Sequence, residues 1–137
     1  MTMAIRLAGM AILVLALAHV AMPRALNWRQ QMASVDLMSR QIHYAHYVFL
    51  VVTLMGIGFL ALLRAPLLIR DGDLGQSLTG GIAAFFLLRL LFELFFFDSS
   101  LWRGDRLRTV GHVAFIALWT TLTATFALAT LGWGGTA

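Results

Sequence analysis

Apolar residues in this chain gather into four long blocks, broken by short polar stretches. The blocks run roughly from Met3 to Met22, Ile42 to Leu63, Leu78 to Phe97 and Val110 to Leu131. A helix needs about 20 residues to cross the hydrocarbon core of a bilayer, and each block reaches that length. Backbone polar groups in lipid must be bonded within their own segment, so each block is predicted to be a helix. The breaks fall at Pro23, at Pro66 with "RDGDLG" (70–75), and at "DSSLWRGD" (98–105). The prediction is an all-α integral membrane protein, a single domain over residues 1–137. It is read as a four-transmembrane-helix bundle of up-down topology.

The stretch between the first two spans is long and half apolar, with Leu26, Trp28, Met32, Val35, Leu37 and Met38. It reads as an interfacial amphipathic connector, partly helical, with Trp28 at headgroup depth. Ser34 or Asp36 is the expected cap of the second helix. The first block also admits a secretory-signal reading, with Arg6 as its charged start and "ALA" (16–18) as a cleavage site. The apolar continuation through "AHVAMPR" favours a full span instead.

Composition agrees with the blocks. The chain is 61% hydrophobic and 12% charged, against about 45–50% and 25% in soluble domains. It has no cysteine, which excludes disulfides and thiolate metal sites. The net charge is +4 and all ten basic residues are arginine. They are scattered among short loops without a basic stripe, so nucleic acid is not an expected partner. The loops at 23–41 and 98–109 hold Arg24, Arg29, Arg40, Arg103, Arg106 and Arg108. The terminal side holds Arg6, Arg64 and Arg70. The excess of arginine places those two loops in the cytoplasm and both termini in the periplasm, as in a bacterial inner-membrane protein. The bilayer is the first expected partner, and with only four spans a second copy or a partner membrane subunit is another.

Ionisable residues inside spans are costly and usually face a bundle interior or cavity. Under the up-down topology, His19, His43, His46, His112 and Glu93 all fall in one shallow layer at the arginine-rich end. His43 and His46 share a helix face at i, i+3 spacing, and Arg89 and Glu93 lie one turn apart. Pro23 lacks the N–H that would bond the carbonyl of His19, so an acceptor is left free there. Imidazoles with a carboxylate suit a transition ion (iron, copper or zinc) or the axial positions of haem. The metal set expected is therefore His19, His43, His46, His112 and Glu93. Arg89, Tyr44, Tyr47 and Trp119 are expected to contact a cofactor, with Trp102 also able to flank a flat ring. Glu93 is the candidate acid/base.

Three functions are consistent with this layer: haem or metal binding for redox or cofactor handling, a small enzyme acting on a quinone or lipid, and a non-catalytic assembly subunit. Two weaker patterns accompany it. His19 and Glu93 each precede a "WR" dipeptide, at 28–29 and 102–103, by nine positions. The segment "AHVAMPR" (18–24) loosely resembles the first-helix histidine and "PR" of a family of small bacterial membrane protoporphyrinogen oxidases. That family relies on a lysine and this chain has none, so the resemblance carries no function across.

Overall fold

The computed structural model describes residues 1–70 and 72–132, and every regular element in it is helical. Four helices are long: α1 (Thr2–Ala25), α3 (Leu37–Leu63), α5 (Asp73–Phe95) and α6 (Arg106–Thr130). All four are long and apolar enough to cross a membrane, consistent with an integral membrane protein. Two short helices, α2 (Trp28–Gln31) and α4 (Ala65–Leu68), and two 3₁₀ turns, Met32–Ser34 and Ser99–Leu101, lie between them.

Helix ends follow local chemistry. Asp36 caps α3, accepting from the backbone N–H of Ser39 at 3.0 Å; of the two expected caps it is the one used. Asp105 caps α6 by accepting from the N–H groups of Leu107 and Arg108 at 2.9 and 3.1 Å. Such caps satisfy amides that have no partner within the helix. Pro23 does not end α1 where the sequence suggested, because the helix runs on to Ala25. A proline removes one bond but leaves the following turn able to continue when the orphaned carbonyl finds another donor. Asn27 then turns the chain in a left-handed conformation, φ 51°.

The chain divides into two compact units. One is Arg6–Arg64; the other is the chain from Ala65 onward together with Met1–Ile5. In the first, α1 and α3 pair antiparallel, since Gly9 meets Gly58 and Ala61 near one end and His19 meets Tyr47 near the other. The approach is tightest at Gly9. A Cβ there would lie 2.7 Å from the Leu62 nitrogen and 2.8 Å from the Gly58 oxygen. Small residues allow backbones to come this close where hydrophobic contrast with lipid is absent.

In the second unit α5 and α6 are likewise antiparallel. Thr130 donates to the Thr79 hydroxyl at 3.0 Å near one end, while Glu93 meets His112 near the other. Between them, Phe86 lies against Trp119 and Phe126 at ring centroid distances of 6.0 and 6.3 Å. All three rings are buried. In the threonine-rich second half of α6, Thr130 supplies its hydroxyl to the contact with α5. Thr121 and Thr125 instead bond carbonyls one turn back in their own helix. Many large apolar side chains stay exposed, among them Val14, Leu17, Phe49, Phe95 and Leu107. That surface suits lipid rather than water.

Candidate functional site

The polar residues of the second unit assemble around Glu93. It sits in the last turn of α5 with its side chain only 8% exposed. Its Oε1 accepts from His112 Nδ1 at 2.8 Å, a contact between α5 and α6. Its Oε2 lies 3.0 Å from Arg89 Nη1, one turn back on α5. That second contact is close enough for an ion pair, but Nη1 makes no aligned hydrogen bond and is buried. The one-turn spacing of Arg89 and Glu93 thus brings their charges together, and an imidazole from the neighbouring helix extends the contact.

Aromatic rings enclose this triad. The Arg89 guanidinium lies 5.1 Å from the Trp119 ring centroid and 5.4 Å from that of Phe97. Guanidinium over an aromatic face is favourable, more so when desolvated. Trp102, from the loop between α5 and α6, stacks flat on His112, with centroids 3.7 Å apart and planes 10° from parallel. The loop is shaped for this by Asp98, which accepts from the Ser100 N–H at 2.7 Å, and by Thr109, which donates to the Trp102 carbonyl at 2.9 Å. The Ser100 amide, followed by its side chain, stabilises the ionised form of Asp98 and lowers its pKa below the usual 3.8. A cleft of about 330 Å³ opens beside the triad, lined by Arg89, Glu93, Phe97, Trp102, Arg108 and His112 among others. That volume is within the range of small-molecule sites, about 300–1,000 Å³.

The first unit holds the remaining histidines in a different arrangement. His19 Nδ1 contacts the Leu15 carbonyl at 2.8 Å, and His46 Nδ1 contacts the Ile42 carbonyl at 2.8 Å. The carbonyl that Pro23 frees on His19 accepts from the Tyr47 hydroxyl. His43 packs against Trp28, centroids 4.8 Å apart, and near-parallel to Tyr47 at 6.5 Å. Its Nε2 is buried without a partner. Trp28 also meets Tyr47 edge-on at 4.6 Å and lies 6.5 Å from Tyr44.

Within each unit, the residues expected to form a metal centre take local partners of their own. Among the described residues, no three His, Asp or Glu side chains are placed to hold one ion. His19 and His46 each direct one ring nitrogen to a carbonyl of their own helix. The i, i+3 pair splits, with His46 exposed and His43 turned into an aromatic cluster. Glu93 has each carboxylate oxygen facing a cation or imidazole. Shared depth along a helix does not fix the rotation of a side chain about the helix axis, and rotation decides convergence. Of the expected cofactor contacts, Arg89 belongs to the Glu93 triad and Trp119 adjoins it, whereas Tyr44 and Tyr47 belong to the cluster around Trp28.

In each unit the tryptophan of the "WR" dipeptide, Trp28 or Trp102, packs against a histidine of the returning helix, His43 or His112; His19 and Glu93, which defined the faint repeat, take no matching part in these contacts. Sequence reading placed Trp102 only as a flank for a cofactor, and its stacking on His112 had no local signal to reveal it.

Comparison with known protein families, with curated proteins and with solved structures returns no match. The functional reading therefore rests on the geometry of the site.

Proposed function

We propose that the cleft beside Glu93 and His112 binds a small amphipathic ring of the quinol or quinone class, with the pair as proton acceptor for the hydroxyl of the quinol form. The observation that carries this is the buried carboxylate holding His112 Nδ1 at 2.8 Å in a cleft with aromatic walls. A carboxylate on Nδ1 fixes the tautomer and leaves Nε2 as the basic nitrogen, and it stabilises the imidazolium once a proton arrives. Arg89 balances the charge of Glu93 before that transfer. Phe97 and Phe115 offer flat apolar contact to a ring. Arg108, already 3.3 Å from Asp105, supplies a further cation at the cleft.

A haem or metal reading retains one specific support: an imidazole whose Nδ1 is held by a carboxylate is the usual second-sphere arrangement of a metal-bound histidine. In it Glu93 would orient His112 rather than ligate, and His19, His43 and His46 would take no part.

Detergent-purified protein tests both. Organic extraction followed by mass spectrometry is expected to release a quinone-class molecule at close to one per chain from the wild type, and at under a tenth of that from Glu93→Gln and His112→Gln. An extract free of any such ring compound contradicts the proposal. A Soret band, or stoichiometric metal lost in His112→Gln but kept in His43→Gln, establishes the metal reading in its place.

A further inference from the structure

A second cleft, of about 380 Å³, lies at the turn between α1 and α2 and is lined by Pro23, Arg24, Asn27, Trp28, Arg29 and Tyr44. Arg24 is in the last turn of α1, and Arg29 belongs to α2. The left-handed backbone of Asn27, φ 51° and ψ 43°, reverses the chain between them, so two guanidinium groups border one opening. Asparagine tolerates that conformation better than most residues. Ion pairs among the described residues involve Arg89, Arg108 and His112, so neither Arg24 nor Arg29 has an acidic partner there. Asp36, the acid nearest in sequence, is committed to capping α3.

Two uncompensated guanidinium groups beside a concave opening call for an anion. Guanidinium binds phosphate oxygens in paired, charge-assisted hydrogen bonds. The rest of the lining says what kind of phosphate. Trp28 and Tyr44 are the amphipathic ring types that settle at headgroup depth. Leu17 and Val20 on α1 and Leu26 just past its end are 64%, 55% and 48% exposed, giving apolar surface for acyl chains. A free phosphate ion would make no use of that surface.

We infer that the α1–α2 turn is a binding site for the phosphate of an anionic phospholipid, seated between Arg24 and Arg29 with Trp28 and Tyr44 against its glycerol region. The inference does not depend on what the Glu93 cleft binds.

Native mass spectrometry of the detergent-purified full chain tests this with phosphatidylglycerol and phosphatidylcholine at equal concentration, and with inorganic phosphate alone. The wild type is expected to retain one phosphatidylglycerol in preference to phosphatidylcholine. Two arginines near an anionic headgroup together contribute roughly 25-fold in affinity, so Arg24→Gln with Arg29→Gln should weaken retention by about that factor. Arg103→Gln with Arg106→Gln should leave it unchanged. Equal retention of the two lipids by the wild type overturns the inference, as does full competition by inorganic phosphate at the lipid's own concentration. Should the double variant not purify folded, as judged by circular dichroism, the wild-type lipid preference and phosphate competition still decide.

Discussion

Tyr47 shows how one backbone defect can place a side chain. Pro23 cannot donate to the His19 carbonyl, and in an apolar surrounding an unmet acceptor costs more than the bond itself is worth. The Tyr47 hydroxyl fills that vacancy from α3. Tyr47→Phe is therefore expected to destabilise the protein by about 1 kcal/mol. In a Pro23→Ala background, where residue 23 regains an N–H for His19, the same change should cost close to nothing. A double-mutant cycle of thermal unfolding in detergent measures that coupling, and additive effects would show that the hydroxyl has another role. The free carbonyl was legible in the sequence, since a proline four residues on dictates it. Its donor was not, because nothing local to α1 names a residue 28 positions away.

At the scale of the element, the four long helices were visible as apolar blocks, and their cores agree with the structure to within a turn or so at each end. The ends moved because caps, not apolar residues, set them: α3 begins after Asp36 and α6 after Asp105. Hydrogen bonds from Ser39, its side chain first and its backbone amide next, lower the pKa of Asp36 below the usual 3.8. A carboxylate with a lowered native pKa contributes stability above its unfolded value, and that contribution fades as pH falls through the native value. Acid titration followed by far-ultraviolet circular dichroism should thus show a loss of helix below about pH 3.8 that is smaller in Asp36→Asn.

Glycines were harder to rank from sequence. The glycines inside α3 and α5 differ in what surrounds them: a Cβ at Gly56 or Gly81 would meet nothing within 4 Å, one at Gly80 would make ordinary contact with Thr130 at 3.5 Å, and one at Gly58 would fall 2.8 Å from the Leu13 side chain. Gly58 faces Gly9, where α1 and α3 touch. Gly9→Ala is expected to cost about 1–3 kcal/mol through overpacking, while Gly56→Ala should be neutral or stabilising by up to about 1 kcal/mol through helix propensity. Chemical unfolding in mixed micelles separates the two, and equal effects would contradict the α1–α3 packing.

For the whole molecule, the apolar surface and the four long helices describe a protein that lives in a bilayer, and the Glu93–His112 pair lies where α5 turns into α6. Depth along the spans drew attention to Glu93, Arg89 and His112, which α5 and α6 bring into contact. It did not name the partner of each histidine, because depth is one coordinate and the rotation of each side chain is another. In the function proposed above, Glu93 and His112 act together on a ring ligand in their cleft. Titration of the purified protein with a short-chain quinol, followed by quenching of tryptophan fluorescence, tests it most directly, since Trp102 stacks on His112 and lines the cleft. Saturable quenching in the wild type, lost in Glu93→Gln and in His112→Gln and retained in His43→Gln, is the predicted result. Quenching that does not saturate, or that is equal in all four proteins, would contradict it.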